Sequence, residues 1–201
     1  MAEEDDIDAK QADLLRRISD LQEAYQEAEA TRGSARAPIE LLYAMDYVLE
    51  RAVRTALTEL GASVEEPTDP SKEDGWFVVT LGDVQLKAVL EIKSTVNPQF
   101  RVTGIRQLGE WVQRGIHQRG VQYKPIFIGG SSVREPVANR PNPFVHDVIT
   151  TAQQFEAALL RADDLFEVLM MHRLGQLNHE AFWRQLFSSV GPVDIGQVRV
   201  S

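Results

Sequence analysis

The segment AVLEIKSTV, residues 88–96, constrains the fold most strongly because two charges interrupt an otherwise apolar and β-branched run. Successive side chains of a β-strand point to opposite faces, so Val89, Glu91 and Lys93 share one face. A strand of this composition is typical of a sheet covered on both sides, where an unpaired charge is costly. Glu91 and Lys93 therefore either lie where the strand reaches solvent or belong to a functional site.

The segments around this strand predict a mixture of helices and strands. Residues 76–81 and 84–93 are predicted to form a hairpin, in which Gly82-Asp83 makes a type II′ turn. A further strand is predicted over 122–130, and 155–160 fits either the continuation of a helix or a last short strand. Helices are predicted over 38–60, over 103–119, from near 144, and after Asp163 and Asn178. This order predicts an α/β fold with a small central mixed β-sheet flanked by helices.

The first part of the chain differs from the rest in charge. Residues 1–30 carry ten acidic and three basic side chains, and apolar residues recur there at heptad spacing, among them Leu14, Ile18 and Leu21. We expect residues 1–33 to form an acidic N-terminal helix. Its apolar face either docks on its own domain or pairs in a coiled coil with a second copy or a regulatory partner. Residues 31–38 have the composition of a linker, and a second domain is predicted over 38–195.

Composition and charge bear on the partners, the metal sites and the cellular location of the protein. The chain of 201 residues has a net charge of −9, but residues 93–124 hold six basic side chains and one acid. This locally basic stretch is compatible with a nucleic-acid partner. The absence of cysteine excludes disulfides and thiolate metal sites and favours a reducing, cytoplasmic location. No apolar run is long enough for a membrane span, and the acidic first ten residues are unlike a secretory leader.

Asp74 is predicted to lie next to the charged residues of this strand. Counting from the hairpin turn places residue 76 opposite residue 89, and Asp74 therefore opposite Glu91. Two carboxylates in direct cross-strand contact repel each other unless a cation neutralises them. Mg²⁺ or Mn²⁺ would do so through oxygen ligands, and Lys93 could orient the attacking water or stabilise an anionic transition state. Such a group of residues can hydrolyse a phosphodiester.

An Asp, a hairpin and a Glu-x-Lys motif in this order resemble the PD-(D/E)xK nuclease superfamily, whose domain is called restriction-endonuclease-like. The residue before Asp74 is Glu73, where the family's name has Pro, and Glu73 is a rival ligand. Asp69 and Asp83 are weaker rivals. The segment 49–65 is similar to the family's first helix, and 105–112 is similar to the helix that follows Glu-x-Lys. The resemblance covers roughly residues 40–190.

The resemblance implies a function and a set of site residues. Glu50 would join Asp74 and Glu91 as a metal ligand, and Gln107 would support Lys93 or the metal. The implied activity is Mg²⁺- or Mn²⁺-dependent cleavage of DNA rather than RNA, in restriction, repair or antiviral defence. The basic residues after the strand would contact the phosphates of the nucleic acid: Arg101, Arg106, Arg114 and Arg119.

Simpler interpretations remain for these residues. Glu50 has the i,i+4 spacing of a surface ion pair with Arg54, and Gln107 has the character of an ordinary surface residue. The whole domain could also be a catalytically silent scaffold, a nucleic-acid clamp or a protein-interaction module. His172 and His179 lack the cysteines or carboxylates of a zinc site and are predicted to be structural or exposed.

Overall fold

The structure is a computed structural model that describes residues 2–65, 67 and 74–200, without the side chains of residues 2–9, 12, 118 and 119. The chain forms two compact units, Met1–Ala35 and Arg36–Ser201. The described residues form these helices: α1 (Ala2–Tyr43), α2 (Asp46–Glu59), α3 (Thr103–Arg119), α4 (His146–Gln154), α5 (Ala162–Arg173) and α6 (His179–Ser188).

Within the described residues, one mixed sheet of six strands forms the centre of the second unit, in the order β1-β2-β3-β4-β5-β6. The strands are β1 (Ser63–Glu65), β2 (Gly75–Leu81), β3 (Val84–Ser94), β4 (Lys124–Gly130), β5 (Ala158–Arg161) and β6 (Gly191–Pro192). Strands β1 to β3 pair antiparallel, and β3 to β6 pair parallel. The prediction of an α/β fold with a central mixed sheet is therefore confirmed.

The hairpin has the predicted register. Trp76 lies opposite Val89, and Gly82 has a φ of +59°, which is the left-handed conformation that the first residue of a type II′ turn requires. Asp74 immediately precedes β2, and its backbone N–H donates to the carbonyl of Leu90 at 3.2 Å. The hairpin thus brings Asp74 to the end of β3 that carries Glu91 and Lys93.

The two faces of the sheet belong to different hydrophobic clusters. Even-numbered residues of β3, such as Leu90 and Ile92, pack with α2, α5 and α6, whereas Val89 packs with α3 and α4. Each fully buried large apolar side chain contributes about 1.5–3 kcal/mol. Gly104 allows α3 to approach the sheet closely, because a Cβ there would lie 2.9 Å from the Phe127 ring. The site face of β3 is therefore covered by α3.

Two expectations for the first helices are wrong. Residues 31–38 are helical rather than a linker, and Pro38 lies inside α1. The predicted helix over 38–60 is interrupted between Tyr43 and Asp46. Asp46, the first residue of α2, has a φ of +51°, far from the value of a regular α-helix. Burial of Ala37 and Leu41 in the core explains the first error, because tertiary packing outweighs local composition.

Later elements differ from prediction by smaller amounts. Helix α4 begins at His146 rather than near 144, since the Asn142 carboxamide oxygen accepts from the Phe144 N–H in a turn before the helix. The strand alternative for 155–160 is correct, and α5 begins before Asp163, which lies in its first turn instead of capping it. Asn178 caps α6 as predicted, accepting from the Ala181 N–H at 3.1 Å.

Candidate active site

Glu91 is the buried centre of a charged group at the end of β3. Only 1% of the residue is exposed, and its Oε1 lies 2.6 Å from Lys93 Nζ. Its other oxygen, Oε2, accepts a hydrogen bond of 3.0 Å from the indole Nε1 of Trp111 on α3. Both oxygens of the carboxylate are thus engaged, as a buried charge requires.

Asp74 approaches the same ammonium group from the neighbouring strand. Its Oδ2 lies 3.8 Å from Lys93 Nζ and accepts a hydrogen bond of 2.6 Å from the Ile92 backbone N–H. The Asp74 carbonyl accepts a bond of 2.9 Å from Arg54 Nη1 on α2. The structure therefore places Lys93 between the Asp74 and Glu91 carboxylates, and all three groups lie at one edge of the sheet.

Glu50 lies on α2 near this pair. Its Oε2 is 3.7 Å from Arg54 Nη1, so the predicted i,i+4 ion pair forms, although Arg54 is buried rather than at the surface. Burial, followed by the negative charge of Asp74, raises the pKa of Glu50 above its ordinary value. Arg54 Nη1 contacts both Glu50 and the Asp74 carbonyl, so the two acidic residues lie around one guanidinium group.

The charge states of Glu91 and Lys93 depend on each other. Burial raises the pKa of Glu91, and the hydrogen bonds from Lys93 and Trp111 offset this effect only in part. Burial alone would lower the pKa of Lys93, but the hydrogen bond and charge of Glu91, with Asp74 and Glu50, raise it above its ordinary value. Lys93 is therefore an ammonium ion at neutral pH.

Gln107 and Arg101 lie beside Lys93. All three residues line a cavity of about 290 Å³ at the N-terminal end of α3, together with Thr95, Asn97, Gln99, Phe100, Thr103, Gly104 and Phe127. The cavity is bounded by polar and positively charged side chains and by the Phe100 and Phe127 rings. An anionic substrate that entered it would therefore meet Lys93 directly.

Two of the other predicted phosphate-binding arginines, Arg106 and Arg114, do not line this cavity. Arg106 lines a separate groove with Thr151 and Gln154 of α4 and with Phe155, which follows that helix. The Arg114 guanidinium lies 4.6 Å from the Trp111 ring centroid, a cation–π contact behind Glu91. The Arg119 side chain lies outside the described residues. Of the three arginines whose side chains are described, Arg101 is the one that lines the cavity beside Lys93.

The donor atoms of the site have the chemistry of a magnesium site. Carboxylate oxygens are the ligands that Mg²⁺ and Mn²⁺ prefer, and Mg²⁺ is commonly held by one or two carboxylates, with water and substrate phosphate as the other ligands. Among the residues that the structure describes, no three Asp, Glu or His side chains are already arranged around a metal position. Asp74 and Glu91 fit such an ion as a carboxylate pair, with Glu50 as a further donor on α2.

The rival ligands do not enter this group. Glu73 and Asp69 lie outside the described residues. Asp83 lies in the hairpin turn, beyond the Leu81–Val84 pair and at the opposite end of β3 from Lys93. Among the described candidates for the acidic residue that precedes Glu91, Asp74 is thus the one that contacts Lys93.

Sequence reasoning missed two side chains that contact the site. Trp111 is buried in the core, and its indole N–H also donates a hydrogen bond to Glu91. Arg54 was considered only as the partner of Glu50 in an alternative surface ion pair, and it is buried against Asp74. The signal for Arg54 was its place on the apolar face of α2, between Val53 and Leu57. Nothing in the local sequence marked Trp111.

Comparison with known proteins supports the fold assignment. No protein-family model and no curated protein matches the chain. The restriction endonuclease FokI matches with a TM-score of 0.59 and 15% identity, and FokI bound to DNA matches with 0.53 and 12%. Each match covers 79% of this chain and 30% of the FokI chain. The chain therefore has a restriction-endonuclease-like fold, and it corresponds to less than a third of FokI.

No helix in the described part of the chain is both long and apolar enough to cross a membrane.

Proposed function

We propose that the chain is a metal-dependent phosphodiester hydrolase of the PD-(D/E)xK type that cuts DNA. One observation carries the proposal: Lys93 Nζ lies 2.6 Å from Glu91 Oε1 and 3.8 Å from Asp74 Oδ2, on an edge that borders a cavity. These three residues come from two strands. Their approach in a restriction-endonuclease-like fold is the arrangement that hydrolysis of a phosphodiester needs.

Each site residue has a role in this proposal. Asp74 and Glu91 hold Mg²⁺ or Mn²⁺, with Glu50 as a further ligand. A bound ion would supply Lewis acidity toward the scissile phosphate. Lys93, an ammonium at neutral pH, donates hydrogen bonds to the attacking water or to the oxygen on which negative charge develops. Gln107, which lines the same cavity, supports Lys93 or the metal by hydrogen bonding.

DNA is the proposed substrate. The similar protein FokI is described bound to DNA, and Arg101 places a positive charge at the cavity beside Lys93. Arg106, Arg114 and Arg119 are proposed to contact phosphates farther along the nucleic acid. Binding through such contacts weakens as salt rises, because each neutralised phosphate releases counterions.

The test is cleavage of supercoiled and single-stranded DNA with Mg²⁺ or Mn²⁺, comparing wild type with Lys93→Ala. The matched control is Lys87→Ala, since Lys87 lies on the same strand opposite Val78, away from the carboxylates. We expect metal-dependent cutting that Lys93→Ala abolishes and Lys87→Ala retains. Cutting that survives Lys93→Ala would exclude this site as its source.

A second candidate function is a catalytically silent nuclease fold that binds nucleic acid or protein. The observation that favours it is that the described carboxylates are not already arranged around a metal position. Calorimetric titration with Mn²⁺ separates the two candidates, with Asp74→Ala as the control. Metal binding that Asp74→Ala removes supports the enzyme, and its absence in wild type supports the scaffold.

We also propose that the N-terminal helix associates with a second copy of the chain. Leu14, Ile18, Leu21 and Tyr25 recur at heptad spacing on α1, and each is more than half exposed. In this heptad register the acidic residues between Lys10 and Ala28 fall on the outer face, namely Asp13, Asp20, Glu23 and Glu27. Their charges therefore do not oppose pairing.

Sedimentation of wild type and Leu21→Glu tests this association. We expect a concentration-dependent dimer that Leu21→Glu converts to a monomer. A wild-type monomer would direct the search to a regulatory protein as the partner of the helix. An effector role in restriction or antiviral defence, and a cytoplasmic location, are predictions that come with the proposed nuclease.

A further inference from the structure

Arg54 is a buried cation on a helix face that is otherwise apolar. Among the described residues, Arg54 and Glu91 are the charged side chains that are buried, with 5% and 1% exposure. The neighbours of Arg54 on the buried face of α2 are Leu49, Ala52, Val53, Ala56 and Leu57. A buried guanidinium is costly unless it is fully engaged, so its position calls for a specific partner.

The contacts of Arg54 lead to two of the proposed metal ligands. Its Nη1 donates to the Asp74 carbonyl at 2.9 Å and lies 3.7 Å from Glu50 Oε2. The guanidinium carbon is 5.9 Å from the Tyr47 ring centroid, and the ring limits its movement on that side. One guanidinium group therefore contacts both Glu50 on α2 and Asp74 at the start of β2.

Asp74 makes at least three hydrogen bonds besides its ion pair with Lys93. Its N–H donates to Leu90, its carbonyl accepts from Arg54, and its Oδ2 accepts from Ile92 at 2.6 Å. The first two bonds fix the peptide groups on both sides of the Asp74 Cα. The third bond forms only when the Asp74 side chain points toward the Ile92 N–H. Of the three partners of Asp74 in these bonds, Arg54 is the one that uses its side chain, whereas Leu90 and Ile92 use backbone groups.

We propose that Arg54 is a positioning residue that fixes Asp74 and Glu50 relative to each other for metal binding. This inference rests on the proposed function. Hydrogen-bond partners of metal-ligating carboxylates commonly change metal affinity by 10–100-fold when they are removed. A merely structural arginine would stabilise the fold and leave metal affinity unchanged.

The experiment compares wild type with Arg54→Met, Arg54→Lys and Arg51→Met. Methionine retains an apolar chain of similar length, and lysine retains the charge but offers one ammonium group to two partners. Arg51 is the matched control because it lies on the same helix and pairs with Glu40, away from Asp74. The measurements are Mn²⁺ affinity by calorimetry, hydrogen exchange of the Ile92 amide by NMR, and the melting temperature.

We expect Arg54→Met to weaken Mn²⁺ binding at least tenfold and to accelerate exchange of the Ile92 amide. Arg54→Lys should give intermediate values, and Arg51→Met should match wild type in both. If Arg54→Met does not fold, Arg54→Lys decides: Mn²⁺ binding at least threefold weaker, at an unchanged melting temperature, supports the proposal.

Equal Mn²⁺ affinity in wild type and in the folded Arg54 variants would overturn this inference and leave the proposed nuclease intact. Failure of the wild-type chain to bind Mn²⁺ would refute the proposed function, and the role of Arg54 in metal binding with it. The two failures are therefore distinguishable from one set of titrations.

Discussion

The ends of β3 and β5 carry similar charged residues, but these residues find their partners in different ways. At the end of β5, Arg161 binds the carboxylate of Asp163 through both Nε and Nη2, and Asp163 lies only two residues along the chain. At the end of β3, the Lys93 ammonium lies between Glu91 and Asp74, and Asp74 is contributed by another strand. The Arg161–Asp163 pair therefore forms between residues that are close in sequence. The group around Lys93 also requires Asp74, which is distant in sequence and lies on the other side of the hairpin.

This difference separates a structural cluster from a candidate catalytic one. Asp163 and Asp164 lie in the first turn of α5, where the helix dipole favours acidic residues, so local structure explains them. Local structure does not explain Glu91, which is 1% exposed and depends on Lys93 and Trp111 for compensation. We therefore expect variants at β3 to change activity and variants at β5 to change stability.

The largest effect is expected for Glu91→Gln. Loss of one proposed metal ligand should reduce metal-dependent DNA cleavage at least about 100-fold. The free energy of unfolding should change by less than about 1 kcal/mol, because the buried carboxylate is itself costly. Initial cleavage rates and urea unfolding measure the two quantities. If Glu91→Gln lowers the stability strongly but the folded molecules cut DNA at the normal rate, Glu91 has a structural role and not a catalytic one.

Arg161→Met tests the other half of the comparison. Removing the cation leaves Asp163 and Asp164 without their shared partner, so the free energy of unfolding should fall by about 2 kcal/mol. The cleavage rate at saturating metal should stay within a factor of two, since Arg161 does not belong to the proposed site. Unchanged stability with lost cleavage would extend the active site to the end of β5.

Trp111→Phe sharpens the comparison at β3. The substitution keeps the buried ring but removes the N–H that donates to Glu91 Oε2. We expect Mn²⁺ to bind about tenfold more weakly, because an unsupported carboxylate is less well oriented for the metal. Calorimetry gives the affinity, and Trp183→Phe, which changes a buried indole of the other hydrophobic cluster, is the control. Equal losses in both variants would indicate a general packing effect.

The smallest effect concerns the pH dependence of the β5 cluster. Burial, with Asp163 and Glu167 opposing Arg161, raises the pKa of Asp164 to about 6, against an ordinary value of 3.8. Asp164 therefore binds its proton more tightly in the folded state than in the unfolded state, and protonation stabilises the fold. This contribution to stability is complete below pH 3.8 and is lost as the pH rises through about 6.

Asp164→Asn lacks this titration. Its free energy of unfolding, relative to wild type, should increase by about 1 kcal/mol between pH 4 and pH 7.5, because solvent screens part of the effect. Urea unfolding at both pH values gives this quantity, and Asp83→Asn in the exposed hairpin turn is the control. A pH-independent difference between Asp164→Asn and wild type would contradict the raised pKa.

Local sequence was sufficient for the elements whose geometry is local. Alternation of apolar residues and the Gly82 turn predicted the hairpin and its register, and the register places Asp74 next to the end of β3. The cap at Asn178 was predictable for the same reason, because a side chain and a backbone N–H three residues apart form it. The helices around 31–46 were mispredicted because burial of Ala37 and Leu41 decides their course.

The tertiary structure decided which charges and polar groups meet. The sequence by itself determined that Glu91 and Lys93 share a strand face and that a hairpin brings Asp74 beside them, since both follow from a period of two residues. It did not determine that Arg54 would reach Asp74 from α2 or that Trp111 would reach Glu91 from α3. Those contacts depend on how two helices pack on opposite faces of the sheet, and packing is a property of the whole core rather than of any one segment.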